Sequence, residues 1–153
     1  FRVRDDDIPA FLTNQVCQLG IIGQNTLLET QLLEAETYGG LSQVIELGFG
    51  RCRLSIAVPN GMPYDGLESL AGRTIATSYR GLLAAFLAKR GVEANIVTME
   101  GAVEVAPRTH LAEAICDLVS TGNTLISNGL AEQDVILQSQ AVIIQNNDID
   151  ISN

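Results

Sequence analysis

The feature that most constrains the fold of this chain is a regular alternation of strand-like and helix-like segments in its second half. The strand-like runs cover residues 73–78, 94–99 and 114–119, and the helix-like runs that follow them cover 82–90, 103–113 and 124–130. This spacing is typical of β-α-β units, in which successive strands lie parallel and the helices cover the sheet. We therefore predict an α/β fold with a parallel sheet for this half.

The first part of the chain is less regular and ends at a turn-rich connector, Asn-Gly-Met-Pro-Tyr-Asp-Gly, at residues 60–66. The elements predicted before the connector are a helix start within 5–16, a strand at 17–23, a helix at 25–36 and strand-like runs within 44–59. Two further strand-like runs, at 134–139 and 141–146, can return the chain to this first part.

These patterns predict two lobes. Residues 1–58 and 140–153 form the first lobe, which we expect to be incomplete at its N-terminal side. Residues 59–139 form the second lobe. Because the sequence begins with Phe1 and opens like the middle of a protein, we expect it to be a fragment or an excised domain.

Charge and residue usage exclude several classes of function. Nine Lys and Arg residues stand against 18 Asp and Glu, a net charge of -9, whereas a nucleic-acid surface needs clustered cations. No apolar run approaches the roughly 20 residues that span a membrane. A single histidine, His110, and three scattered cysteines argue against a zinc site and against a Ser-His-Asp or Cys-His catalytic unit. We expect the cysteines to be reduced and buried, which fits a cytoplasmic protein. From the charge and the short apolar runs we expect neither nucleic-acid nor membrane partners.

The most informative stretch follows the third strand of the second lobe and reads Asp117-Leu-Val-Ser120-Thr121-Gly122-Asn123-Thr124. In an open parallel sheet, ligands bind beyond the carboxyl ends of the strands, where this stretch lies. Glycine lets the backbone approach an anion, hydroxyls and helix N–H groups donate to phosphate oxygens, and Asp117 can accept from sugar hydroxyls. Two interpretations remain: a cradle for a phosphorylated ligand, which the position favours, and a simple capped turn that begins a helix.

The same region resembles a known family. Its segments are Glu104-Val-Ala-Pro107 and Ala112-Glu-Ala-Ile-Cys-Asp117-Leu-Val-Ser-Thr-Gly122-Asn-Thr124-Leu125, which are similar to the signature of the ATP phosphoribosyltransferases. Three further segments also resemble that family: Arg4-Asp-Asp-Asp-Ile-Pro9, Gly20-Ile-Ile-Gly23 and Gly48-Phe-Gly-Arg-Cys52-Arg-Leu54. The resemblance runs over essentially the whole chain in the same order, which is more specific than a single glycine loop.

The resemblance implies a fold and an activity. The fold is two-lobed and of the type II periplasmic-binding-protein class, with parallel-rich sheets and flanking helices. The activity is a pentosyl transfer: the phosphoribosyl group of phosphoribosyl pyrophosphate moves to N1 of ATP, and pyrophosphate leaves, with magnesium. This is the first step of histidine biosynthesis, in the cytoplasm, and we expect a homo-oligomer in the full-length protein. The attacking nitrogen belongs to ATP, so no residue serves as a nucleophile.

The resemblance also implies site residues. Ser120–Thr124 would hold the 5-phosphate, Asp117 would contact the ribose hydroxyls, and Glu104 would assist around the ribose or magnesium. Glu104 is equally well explained as an acid that stabilises a helix start. The weaker candidates for contacts with ATP are Arg4, Arg53 and Tyr79, each of which also fits a surface charge or an aromatic at the edge of the core.

Three points stay open at this stage. His110 stands where the family usually carries glycine, and Ala102 replaces a frequent serine. We expect this chain to lack an N-terminal segment of the family, which leaves open whether the chain alone is active. The rival functions are a non-enzymatic two-lobed module that binds a small anion and a purely structural part of a larger assembly.

Overall fold

The computed structural model describes residues 3–147. In chain order the elements are α1 (Ile8–Thr13), β1 (Leu19–Gly23), α2 (Gln24–Leu33), α3 (Ala35–Tyr38), β2 (Leu41–Glu46), β3 (Cys52–Pro59), β4 (Thr74–Thr77), α4 (Arg80–Arg90), β5 (Asn95–Thr98), β6 (Ala114–Val119), α5 (Asn123–Ser127), β7 (Leu130–Ser139) and β8 (Ala141–Asn146). Short 3-10 turns cover Asp5–Asp7, Leu67–Leu70 and Val103–Val105. Within the described range, no helix is long and apolar enough to cross a membrane.

The chain divides into two compact units. The first runs up to Arg51 and resumes at Ser139, and the second is Cys52–Gln138. The predicted division between residues 58 and 59 therefore differs from the observed one by residues 52–58, which are most of β3. This strand belongs to the second unit because it pairs along its length with β6. Residues 1–2 and 148–153, which the prediction assigns to the first lobe, lie outside the described residues.

The first unit is built on a three-stranded sheet in the order β1-β8-β2. Both strand pairs are antiparallel, with Ile21 and Ile45 each opposite Ile143. Strand β8 confirms that the chain returns to the first unit near its C-terminal end, as the sequence predicted. The core of this unit consists of Leu12, Ile22, Leu27, Leu41, Val142 and Ile144.

The second unit contains a five-stranded sheet in the order β5-β4-β6-β3-β7. Strand β4 pairs in parallel with both β5 and β6, as the alternating sequence pattern predicted, while β3 runs antiparallel to β6. Helix α4 crosses between β4 and β5 and ends at Gly91, whose φ of 68° is in the left-handed region that favours glycine. The prediction of an α/β fold is confirmed, with a mixed sheet in which β4, β5 and β6 are parallel and β3 is antiparallel.

One predicted helix is wrong. Residues 103–113 form a single 3-10 turn at Val103–Val105 and then a series of turns that leads into β6. Pro107 has no N–H group to donate to a carbonyl one helical turn earlier, so a helix through it is unfavourable. His110 then adopts a φ of 60°, which directs the chain away from a right-handed helix.

The two faces of the five-stranded sheet differ in what covers them. On one face, called here the α4 face, Leu54, Ile56 and Val58 of β3 pack with Leu83 and Leu87 of α4. The opposite face carries the intervening residues of the same strands and is called here the loop face. Its apolar members are Ala57, Ala76, Val103, Ala106, Ala112, Ile115, Val119, Leu125 and Leu130. Polar side chains interrupt the loop face at the carboxyl end of β6.

Candidate functional site

The candidate site lies where β6 ends and α5 begins. Residues 120–122 connect the two elements, and Gly122 has a φ of 87°, a conformation that residues with a Cβ rarely adopt. A Cβ at this position would meet nothing within 4 Å, so the requirement for glycine is conformational. A small cavity of about 150 Å³ opens here, lined by Asp117, Leu118, Val119, Ser120, Gly122, Thr124 and Leu125.

Hydrogen bonds within the connection order its donors. The Asn123 N–H group donates to Thr121 Oγ1 at 3.3 Å. The first bond of the helical turn runs from the Ile126 N–H group to the Gly122 carbonyl at 3.1 Å. N–H groups ahead of that bond have no partner within the helix, which is the general condition of a helix start. Because α5 is only five residues long, individual N–H and hydroxyl groups matter here more than a helix dipole.

Asp117 is the partly buried carboxylate of this cavity. Its Oδ1 accepts the N–H of Leu118 at 2.9 Å. Burial raises the pKa of Asp117 above its usual value, and the negative charge of Glu104 raises it further, while the Leu118 N–H acts in the opposite direction. The structure therefore brings Asp117 and Glu104, 13 residues apart in the chain (117 − 104), within electrostatic range of each other.

The 3-10 turn Val103–Val105 places Glu104 beside β6. Val103 and Ala106 are buried on the loop face with Ile115, so the turn is anchored on both sides of the carboxylate. Ala102, immediately before the turn, has a φ of 52°. Glu104 thus belongs to a tight turn rather than to the start of an α-helix, which removes the helix-start explanation for this acid.

An ion pair that the sequence did not predict contacts the carbonyl oxygen of Ser120. The Arg53 guanidinium donates from Nε and Nη2 to the two carboxylate oxygens of Glu132, at 2.6 and 2.7 Å. Ser55 Oγ donates to the same carboxylate at 2.6 Å. Across the β3–β6 pair, Arg53 is opposite Val119 and Ser55 is opposite Asp117, so both residues share the loop face with the cavity.

The sequence did not predict Glu132 and Ser55 as site residues, because their partners are distant in the chain. Arg53 and Glu132 are 79 residues apart, and no local pattern links them. The sequence reading also began the strand at residue 134, whereas β7 begins at Leu130. A strand predicted from residue 130 would have included Glu132, and a charged residue within a strand is a signal that it has a partner on a neighbouring strand.

The remaining candidates lie elsewhere. Tyr79 immediately precedes α4 and packs, partly buried, against the core of the α4 face. Arg4 is exposed in the first unit, where its carbonyl accepts the Asp7 N–H at 3.0 Å. Asp5–Asp7 are exposed, and among residues 3–147 no group of three or more His, Cys, Asp or Glu side chains is arranged to hold a metal ion.

The fold is similar to that of periplasmic binding proteins. The chain superimposes on the periplasmic aliphatic sulphonate binding protein SsuA from Escherichia coli with a TM-score of 0.66. The match covers 94% of this chain and 52% of that one at 15% identity, which establishes a shared fold alone. The predicted class, a type II periplasmic-binding-protein-like α/β fold, is confirmed.

The comparison with family models assigns the chain more specifically than the fold does. The model of the ATP phosphoribosyltransferase family matches residues 4–152, and the chain belongs to this family. It is 45% identical over 141 residues to ATP phosphoribosyltransferase from Cytophaga hutchinsonii, covering 92% of this chain and 47% of the relative. The chain therefore spans about half the length of that relative. The family uses metal ions.

A solved structure agrees with this assignment. The chain superimposes on the ATP phosphoribosyl transferase (HisG:HisZ) complex from Thermotoga maritima with a TM-score of 0.81 at 28% identity. The match covers 97% of this chain and 68% of that one. The likeness thus extends through both units of the present structure.

Proposed function

We propose that this chain is the catalytic portion of an ATP phosphoribosyltransferase. The reaction joins N1 of ATP to C1 of phosphoribosyl pyrophosphate and releases pyrophosphate, the first step of histidine biosynthesis. The observation that carries the proposal is the cavity at the end of β6, where Asp117 lies with Ser120, Gly122 and Thr124 of the connection and feels the negative charge of Glu104. Membership of the family supports the same assignment.

The chemistry explains why the site needs no protein nucleophile. The N1 lone pair of ATP forms the new bond to C1, and the C1–oxygen bond breaks with its electron pair on pyrophosphate. Positive charge develops on the ribose ring and negative charge on the leaving group. The protein then contributes by orienting the two substrates and by placing complementary charge around the reacting atoms.

Each group of the cavity has a role in this proposal. N–H and hydroxyl groups of Ser120, Thr121, Gly122, Asn123 and Thr124 hold the 5-phosphate. The Asp117 carboxylate accepts hydrogen bonds from the ribose hydroxyls, and its negative charge faces the ring as positive charge develops. Glu104 adds a second carboxylate on the ribose side.

Magnesium fits the pair of carboxylates formed by Asp117, which lines the cavity, and Glu104, whose charge acts on it. Mg²⁺ is commonly held by one or two carboxylates together with substrate phosphates, and Asp117 and Glu104 supply two carboxylates within electrostatic range of each other. When bound, the ion neutralises charge on the pyrophosphate. The residues themselves keep the ribose oriented toward the incoming base.

The proposal extends to ATP binding and to assembly. Tyr79 and Arg4 are candidates for contacts with ATP, through the purine face and the phosphates respectively. Arg53 was proposed for the same side, but its guanidinium is engaged by Glu132. We also propose a homo-oligomeric or partner-bound full-length protein in the cytoplasm, since the similar Thermotoga maritima structure is a complex.

Calorimetric titration with phosphoribosyl pyrophosphate and magnesium tests the proposal. We expect saturable binding that the double variant Asp117→Asn, Thr121→Ala loses and that inorganic phosphate does not reproduce. Magnesium-independent binding of phosphate itself would contradict the transferase and indicate a small-anion binding module. If a folded chain with any missing segment restored binds no nucleotide or sugar phosphate, a structural role replaces the proposal.

A further inference from the structure

We infer that Glu132 is a positioning residue for the connection Ser120–Thr124 and acts on it through Arg53. The contacts of Glu132 with Arg53, and of Arg53 with Ser120, are seen in the structure and do not depend on which ligand binds. The consequence for ligand affinity rests on the proposed function, because it assumes that this connection holds a phosphate.

The carboxylate of Glu132 is held at both oxygens. Arg53 approaches it side-on through Nε and Nη2, at 2.6 and 2.7 Å, and Ser55 Oγ donates a third hydrogen bond at 2.6 Å. The Ser55 side chain is buried, with 1% of the residue exposed, so its hydroxyl has little freedom to turn elsewhere. A bidentate guanidinium–carboxylate pair defines orientation as well as distance.

The ordered guanidinium reaches the candidate site through its remaining nitrogen. Arg53 Nη1 donates to the carbonyl oxygen of Ser120 at 3.4 Å. Arg53 lies opposite Val119, the last residue of β6, so the contact falls where the strand ends and the connection begins. The chain of contacts therefore runs from β7 through β3 to the first residue of the predicted phosphate cradle.

This contact matters because a carbonyl oxygen and a phosphate repel each other. A Ser120 carbonyl that is held by Arg53 is not free to turn toward the cavity, and the N–H groups that follow it keep their places. The charge of Arg53 is itself balanced by the carboxylate of Glu132. The hydrogen bond from Arg53 lowers the pKa of this carboxyl group, which keeps Glu132 negatively charged. The pair is therefore better suited to holding the backbone than to attracting an anion.

The sign of one measurement separates positioning from plain electrostatics. Removing a carboxylate charge close to an anion site should, by charge alone, strengthen binding of the anion. If Glu132 positions the connection, Glu132→Gln must instead weaken it. We expect about ten-fold weaker binding of phosphoribosyl pyrophosphate, since one charge-assisted hydrogen bond contributes on that scale.

The experiment compares two variants of β7 in the full chain. Glu132→Gln is the test, and Asp134→Asn is the matched control, because Asp134 also lies on β7 and accepts a hydrogen bond from a different partner, the Tyr64 hydroxyl. Amide hydrogen exchange at residues 120–124 reports on positioning without any ligand. In Glu132→Gln we expect the amides of residues 120–124 to exchange about ten-fold faster. In Asp134→Asn we expect their exchange to be unchanged.

A third variant sharpens the readout. Arg53→Lys keeps the positive charge but loses the forked geometry, and we expect it to match Glu132→Gln in both exchange and affinity. Unchanged exchange in Glu132→Gln, or equal acceleration in Glu132→Gln and Asp134→Asn, would overturn the inference. So would unchanged or tighter binding in Glu132→Gln. If the protein without these substitutions, with any missing segment restored, does not bind phosphoribosyl pyrophosphate, the proposed function fails, while the exchange comparison still decides the role of Glu132.

Discussion

The two faces of the five-stranded sheet use the same strands for different purposes. On the α4 face, Leu54, Ile56 and Leu83 are fully buried and pack as a continuous apolar core. On the loop face, the neighbouring positions of the same strands include Ser55 and Asp117, a hydroxyl and a carboxylate.

This difference indicates a division between stability and chemistry. Apolar burial stabilises a fold wherever it occurs, whereas a partly buried carboxylate such as Asp117 costs stability unless it is fully paired. The raised pKa of Asp117 is the signature of that cost. A group that is retained against such a cost is a candidate for function. The predictions below test the division, in decreasing order of expected effect.

The largest expected effect lies on the α4 face. Leu83 is fully buried, so Leu83→Ala removes apolar contacts and leaves a cavity, and we expect a loss of about 3 kcal/mol in the free energy of unfolding. Urea denaturation measures it. Ile126→Ala is the control, because Ile126 is 73% exposed and its truncation should cost under about 0.5 kcal/mol. Equal losses in the two variants would contradict the division.

On the loop face, Asp117→Asn should affect binding and stability in opposite directions. We expect about 10- to 100-fold weaker binding of phosphoribosyl pyrophosphate, because a charged acceptor is lost. At pH 7 the free energy of unfolding should rise modestly, because a partly buried charge near Glu104 is removed and solvent screens part of its cost. Calorimetric titration and urea denaturation measure the two effects.

The pH dependence of that stability gain has a definite sign. A raised pKa in the folded state means that the fold favours the protonated carboxyl, so the penalty is present above the folded pKa. It disappears as the pH falls below 3.8, the usual value for aspartate. The gain from Asp117→Asn should therefore shrink on acidification. A gain that grew as the pH fell would contradict the assignment of the penalty to this charge.

The segment that closes the loop face contains a backbone position that a smaller residue would suit better. His110 has a φ of 60°, where residues with a Cβ are disfavoured by roughly 1–2 kcal/mol. We expect His110→Gly to stabilise the chain by about 0.5–1 kcal/mol, measured by thermal or urea denaturation. His110→Ala keeps the Cβ and should give no such gain. A similar gain in both variants would show that the imidazole, not the backbone, is unfavourable.

The smallest effect concerns the pair of acids. Glu104→Gln removes the neighbouring charge that raises the pKa of Asp117, so that pKa should fall toward its usual value. Burial continues to raise it, so the fall should be partial. NMR titration of the Asp117 carboxyl carbon measures the change. Glu100→Gln, a charge change in the same connecting segment, serves as the control, and an equal shift in both variants would refute a specific pairing.

The extent of successful prediction differs between elements. Residues 114–119 read as a strand because apolar residues run without interruption up to Asp117, and β6 covers those residues. The sequence also indicated the return of the chain through β8 and the end of α4 at Gly91. In contrast, the apolar spacing within 103–113 suggested a helix, although Pro107 and the φ of His110 exclude one.

The features that the sequence determined by itself are local secondary structure and short sequence motifs. Alternating segments specified the parallel strands β4, β5 and β6, and a short run of small and hydroxyl residues after Asp117 indicated the turn between β6 and α5. These features depend on hydrogen bonding and side-chain spacing over a few residues, which are visible in the chain itself.

Only the tertiary structure decided which distant residues share the site. The β3–β6 pairing sets Ser55 opposite Asp117, and β7 brings Glu132 to Arg53 across 79 residues. Strand order and register follow from the packing of whole sheets, so no local pattern encodes them. The same pairing moved β3 from the expected first lobe into the second unit, beside the residues that we propose to hold the ligand.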